Sequence, residues 1–406
     1  MRRSLAFVLA LLCARVVLAD EPAEIPTLLG DPQRPAPRLD LPEWMAEITG
    51  LDRAPRPSTV TSGRLRWAAV PFVVSNPLIG LGAGAAVAGA FRLGDAGSTS
   101  YSSFSVSGLL TTNGQRSLNV RSKVRLPDND WLLVGDWALS HFPGPAWGVG
   151  PDTPDSAQSM VDRREVKFHE TAYRRVNGPV YVGLGYFLDD EFDIEDRTAA
   201  ATGQPTAFTT YPYGTSGRSL SSGATVDLLV EERDNPVNPW RGVFALARLR
   251  IEPPHAGTPE SWQSLWLEGR GYVPLGHAQT LALWAYGWTS FGNVPWFSLP
   301  AVGRDPDHRS GRGWIEGRHV GRDLLGAEAE WRTVVWEFVG AVAGVNVHAV
   351  SDRDSDDHLP SFPVWHPGVV GGLRITLDRR SLTCIAVDGA WRPGGFTGYL
   401  AFNEAF

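Results

Sequence analysis

From about Arg66 to Phe406, polar and apolar residues alternate along the chain. In 117–126, Ser117, Asn119, Arg121, Lys123 and Arg125 fall on one side of an extended backbone. Leu118, Val120, Val124 and Leu126 fall on the other, with Ser122 among them. In 243–251, Val243, Ala245, Ala247, Leu249 and Ile251 share a face opposite Arg248 and Arg250. In 325–333, Leu325, Ala327, Ala329, Trp331 and Thr333 oppose Gly326, Glu328, Glu330 and Arg332. A period of two marks β-strands, whose successive side chains point to opposite faces. The pattern predicts about sixteen strands, near 66–74, 79–93, 100–110, 115–126, 130–142, 161–175, 179–190, 218–231, 242–252, 262–273, 279–290, 322–334, 335–350, 364–376, 381–390 and 395–406.

These segments run to about 10–14 residues, where ordinary strands have roughly 5–6. One face is charged and the other carries Ala, Gly, Val and Leu, with Trp and Tyr near the strand ends. A soluble sandwich would bury larger residues on shorter strands. Long two-faced strands suit the wall of a transmembrane antiparallel β-barrel, with lipid on one side and a wet lumen on the other. The long connections 143–160, 191–217, 291–321 and 351–363 each follow an odd-numbered strand. With the N-terminus in the periplasm, all four therefore lie on the outer face.

Ahead of the strands the pattern changes twice. Met1-Arg2-Arg3, the apolar run Leu5 to Ala14 and Val17-Leu18-Ala19 read as a secretory signal peptide over 1–19. Ten apolar residues are too few to span a bilayer, which needs roughly 20. Its removal takes Arg2, Arg3 and Arg15 and no acid, so the formal net charge moves from −7 to −10. Only Cys384 then remains, and no intrachain disulfide can form. Residues 20–64 are a Pro-rich periplasmic leader whose prolines forbid any long regular element, and 65–406 is the barrel. Leu41 to Ile48 is the one candidate helix in the leader; we read it as an ordered turn in a tether. With 44 Gly, 16 Trp and 43% hydrophobic residues, neither a helical bundle nor a disordered chain is expected. The acidic balance gives a nucleic-acid partner no support.

Three stretches carry a resemblance. Glu232-Arg233-Asp234-Asn235-Pro236-Val237-Asn238-Pro239-Trp240-Arg241-Gly242 is a rigid turn into a strand. Ser310-Gly311-Arg312-Gly313-Trp314 sits in the connection after the eleventh predicted strand, followed by Glu328-Ala329-Glu330-Trp331-Arg332. The chain closes on Gly395 to Phe406 and ends in Phe. Together, in this order, they resemble the barrel domain of the BamA/TamA-type bacterial surface-antigen family, with its D-R-x-x-P-x-x-P-x-x-G turn, its V-R-G-F/Y tip on an extracellular loop six that folds into the lumen, and its aromatic C-terminal assembly signal. The resemblance covers about 66–406. It implies a loop-six latch motif of Arg312, Gly313 and Trp314, and an assembly signal at Phe402 and Phe406. The leader of 20–64 is too short for a POTRA domain of the family. The family's F-x-D-x-G strand aligns with Ala341 to Val345, which puts Ala343 where the Asp that pairs with the loop Arg would stand. Glu404 departs from the apolar residue often found there. With Ala343 unable to accept, Glu328 and Glu330 are the expected latch partners of Arg312, with Trp314 packed on the inner strands as their shield.

Other candidates read more simply. Asp352 to His358 lacks the Gly and the Glu of a calcium loop and reads as a solvated acidic outer loop. His141 and His169 have no G-x-S-x-G elbow or H-E-x-x-H spacing around them, so neither catalytic residues nor a metal or other cofactor is assigned and no enzyme is expected. Gly80-Leu81-Gly82-Ala83-Gly84 falls inside a strand, where glycine eases curvature or close packing. The resemblance implies an outer-membrane location in a Gram-negative bacterium and a role in inserting or translocating protein or lipid, with the seam between first and last strands as the working part. Its partners would be outer-membrane lipid, the barrel assembly machinery during insertion, and a periplasmic partner that supplies substrate. A passive pore for small solutes is the alternative, and a lipid-modifying enzyme a more remote one.

Overall fold

The computed structural model describes residues 41, 66–76, 80–95, 97–254, 261–276, 278–378, 382–402 and 404–406. The signal peptide, and the leader and its helix apart from Leu41, lie outside the described residues. The strands are β1 (Arg66–Asn76), β2 (Gly80–Phe91), β3 (Ser102–Thr111), β4 (Arg116–Arg125), β5 (Trp131–His141), β6 (Gly144–Ala146), β7 (Ser159–Asn177), β8 (Val180–Asp196) and β9 (Gly217–Glu231). They continue as β10 (Gly242–Glu252), β11 (Trp262–Gly276), β12 (Gln279–Gly292), β13 (Asp323–Trp336), β14 (Val339–Val350), β15 (His366–Asp378), β16 (Thr383–Arg392) and β17 (Gly395–Phe402). One short helix, α1 (Arg197–Thr202), is capped by the Asp196 carboxylate, which accepts from the Thr198 and Ala199 amides.

Each predicted segment holds one long strand. The additional β6 is a short piece that pairs with the outer end of β7. β7 and β8 are longer than the pattern indicated, with 19 and 17 residues, because their ladder continues to Val161 opposite Asp196. The last strand falls short of expectation. β17 has 8 residues and ends at Phe402, where alternation suggested 406. A membrane-crossing strand needs about 9–11 residues. Every ladder is antiparallel and joins neighbours in sequence, from β1–β2 round to β16–β17, with β7 following β5 in the wall. No ladder is described between β1 and β17.

The sheet wraps around an interior. Asp307 and Arg312 stand five positions apart, a reach of at most roughly 18 Å. Yet Asp307 pairs with Arg270 on β11 and approaches Lys123 on β4, while Arg312 pairs with Asp388 on β16. In a flat sheet β4 and β16 would lie about 50 Å apart at the usual strand spacing. Only a curled sheet brings them together.

Alternation then separates two environments. Leu184, Val226, Leu249 and Leu265 are direct cross-strand neighbours on β8, β9, β10 and β11, and all face outward. An apolar surface this continuous, exposed on every long strand, is a membrane-facing surface. Exposed aromatics rim it at both ends, with Trp67, Trp131 and Trp336 at the end where β1 begins and Phe291, Trp365, Trp391 and Phe396 at the end where β1 finishes. Among the described residues no helix is long and apolar enough to cross a membrane.

Two details follow from local chemistry. In the 232–242 turn, Asp234 Oδ1 accepts from the Trp240 and Arg241 amides, and Asn235 Oδ1 from those of Val237 and Asn238. Gly242 closes the turn at φ +108°, where a Cβ would meet the Glu232 carbonyl at 2.1 Å. In β2, Gly84 leaves room for the ring of Phe72 on β1, which a Cβ would approach to 2.5 Å. The glycines there serve packing between strands.

Candidate functional site: a plugged lumen

The connection between β12 and β13, 293–322, turns inward. Its base is a small hairpin. Val302 N–H donates to the His319 carbonyl, Gly321 N–H to that of Pro300, and Ala301 bridges Val320. Val294, Leu299, Ala301 and Val320 bury themselves against Trp262 of β11. The tip is shaped by Asp305, whose carboxylate accepts from the Arg309 and Ser310 amides, and by His308, Gly311 and Gly313 at positive φ. At Gly311 a Cβ would lie 2.0 Å from Val302 Cγ2, so no side chain fits.

Arg312 is buried in the lumen at 4% exposure. Its Nε donates to Glu328 Oε1 at 2.8 Å, Nη1 to Asp388 Oδ2 at 3.1 Å, and Nη2 reaches both Glu328 and Glu330. The structure thus brings together the three residues that the sequence paired. It adds Asp388 of β16, which alternation marks as inward but does not match to a partner. Gly313 N–H donates to Tyr399 Oη at 2.8 Å, and Thr397 Oγ1 donates to the Gly313 carbonyl. Both partners belong to β17, so the loop tip spans from β13 to the last strand.

Ala343 corrects the sequence alignment. It is paired with Trp331 and exposed on the membrane side, so an Asp there could not reach Arg312. The inward positions of β14 are Val342, Gly344 and Asn346, and Asn346 Nδ2 donates to the Arg312 carbonyl. Trp314 also departs from expectation. It does not cover the Arg312 pairs; it packs on His319, His348 and His366 and donates to the Pro367 carbonyl, with the Arg392 guanidinium over its ring.

The tail explains Glu404. After β17 the chain turns into the lumen, where Glu404 pairs with Arg374 at 2.7 Å and approaches Arg332. Phe406 is buried against Trp284, and Arg332 donates to its carbonyl. An acid is suited to that place because it faces two guanidinium groups, not lipid. Phe402 ends β17; its side chain lies outside the described residues. Arg312, Arg332 and Arg374 with Glu328, Glu330, Asp388 and Glu404 form one connected buried network. Each charge there is held by partners, as burial of charge requires.

The remaining candidates are paired structurally. His141 and His169 face Asp162 and Asp189 at 2.7 and 2.8 Å. In the acidic loop, Asp356 accepts from the Gly292 amide and pairs with Arg322, while Arg353 binds Asp323.

No protein-family model matches the chain, and no curated protein does. Solved structures do. CdiB from Escherichia coli is 12% identical with a TM-score of 0.53, covering 95% of this chain and 74% of that one. CdiB from Acinetobacter baumannii is 10% identical with a TM-score of 0.48, covering 96% and 74%. BamA from Haemophilus ducreyi lacking POTRA domains 1–3 is 14% identical with a TM-score of 0.49, covering 86% and 71%. At such identities the likeness is one of fold, and the Escherichia coli CdiB match carries it. The chain has the fold of an all-β transmembrane barrel, similar to that of CdiB from Escherichia coli.

Proposed function

We propose that this protein is an outer-membrane barrel that inserts or translocates protein or lipid, with its lumen closed by the loop 293–322 and its working part at the seam of β1 and β17. The observation that supports this reading is the filled lumen. A plug held by Arg312 to three carboxylates and by Gly313 to β17 suits a barrel that does not conduct solutes freely. The short β17 and its inward tail favour the seam as the place of least resistance. Outer-membrane lipid, the assembly machinery and a periplasmic partner that delivers substrate fit this role. No catalytic step is part of it.

Reconstitution tests the reading. Vesicles holding the protein are expected to speed insertion of an unfolded client barrel, or exchange of labelled lipid between leaflets, while retaining a small trapped dye. Steady dye release with neither acceleration would instead mark a passive pore.

A further inference from the structure

The plug carries two histidines, His308 and His319, and the groups around each disfavour a charged ring. His308 Nε2 lies 3.2 Å from Lys167 Nζ of β7. An ammonium group only donates, so this ring nitrogen accepts and is bare. His319 Nδ1 lies 2.7 Å from His348 Nε2 of β14, and its ring stacks on His366 of β15 at 3.6 Å. Their shared hydrogen bond leaves room for a charge on at most one of the two rings, and the stack on His366 places that charge against a third imidazole. His319 and His348 are 2% and 0% exposed, and His348 Nδ1 has no partner.

The surrounding charges oppose protonation. Around His308 stand Arg121 and Lys123 of β4, Asp136 of β5, Lys167 of β7, Arg270 of β11, and Asp307 and Arg309 of the loop itself. Asp136 stands 3.9 Å from His308 Nε2 but is held more closely by Lys167 at 2.8 Å, and Asp307 is held by Arg270 at 2.5 Å. Around His319 stand His348, His366, Arg318 and Arg392; Asp152 faces only His366, and Asp155 is bound by Arg318. His308 keeps a side chain 34% exposed to the lumen, so partial burial, then the Lys167 and Arg121 cations, lowers it from the ordinary histidine range; burial, then the adjacent rings, lowers His319.

We propose that 293–322 is a proton-released plug: protonation of His308 and His319 frees it from the wall, so the lumen opens as the medium acidifies. This rests on the reading of the docked loop as the closure. The sign follows from linkage. A released histidine titrates near pH 6.5 and a docked one stays neutral, so docking is fully supported above that pH and weakens as pH falls below it. At pH 5.5 each histidine shifts the open-to-closed ratio by at most about tenfold, and the two by at most about 100-fold.

The test is the open-to-closed current ratio of the purified full chain in planar bilayers at pH 7.5 and 5.5. Wild type is expected to rise by about 10- to 100-fold. His308→Gln/His319→Gln, with neutral side chains, is expected to respond little, while His358→Gln, on an exposed outer loop, behaves as wild type. No rise in wild type, or a full rise in the double variant, overturns the proposal. Should the double variant fail to fold, imidazole C2 hydrogen exchange on wild type decides. His308 and His319 should take up protons only together with loss of loop protection, and ordinary titration under an unchanged loop refutes the idea. Arg312→Ala at pH 7.5 separates the two claims. If it opens the lumen while acid does not, the plug stands and proton release falls; if neither does, both fall.

Discussion

Removing the Arg312 guanidinium should loosen the plug by an amount the network itself sets. The side chain reaches three carboxylates, but two have other partners. Glu330 keeps Arg332 at 2.8 Å and Asp388 keeps Arg374 at 2.5 Å. Among the described residues, Glu328 has no other cation within ion-pair distance, and its Oε2 is already unpartnered. Arg312→Ala therefore strands one buried carboxylate. Breaking a buried pair costs about 3–5 kcal/mol, and lumen water admitted by the smaller side chain favours the lower end. About 3 kcal/mol is roughly 150-fold in the docking equilibrium. The assay is trypsin cleavage at Arg304 and Arg309, which lie in the loop and are cut only when it leaves the wall. Where reclosing outpaces cleavage, the rate follows the open population, so cutting should accelerate by about 100-fold. Adding Glu328→Gln should recover much of the loss, because it removes the stranded charge. An unchanged cleavage rate in Arg312→Ala, or a double variant worse by the plain sum of its parts, would refute the reasoning.

Three further outcomes are expected. Gly311→Ala should destabilise the loop by roughly 2–4 kcal/mol, from left-handed strain and overlap with Val302, seen as faster trypsin cleavage. Ala343→Asp should not strengthen the latch; on the membrane side it should cost up to roughly 2 kcal/mol, read as a lower urea midpoint for unfolding from detergent or lipid. The mature chain should start near Asp20, fractionate with the outer membrane and migrate faster on gels unheated than boiled; recovery as a soluble periplasmic protein would end the barrel account.

The wall was legible because a two-faced strand between lipid and water writes its period directly into the residues. The inward phase of β13 was plain from Glu328, Glu330 and Arg332 against Leu325, Ala327 and Trp331. The phase of β14 was not. Ala341-Val342-Ala343-Gly344-Val345 has no polar contrast, so the alignment to a motif slipped by one position, and a slip of one exchanges lumen for lipid. Asn346 and His348, two and four positions beyond Gly344, were the available phase markers. Asp388, Tyr399 and the His319–His348–His366 group stayed hidden for another reason. Alternation says which way a side chain points, but which strands a loop tip reaches is fixed by how the sheet curls. The inward tail was hidden because a strand ending in Phe reads the same whether its last residues pair or fold away; Glu404 was the sign, an acid where the membrane side would disfavour one.

The account turns on the loop filling the lumen, and conductance tests that most directly. Wild-type protein in planar bilayers at pH 7.5 should be closed for most of the record, with brief openings. A variant lacking 303–318, checked for heat-dependent gel mobility, should give a large, steady pore. A wild-type channel that is steadily open, with the conductance of the shortened chain, would contradict the claim that this loop is the plug.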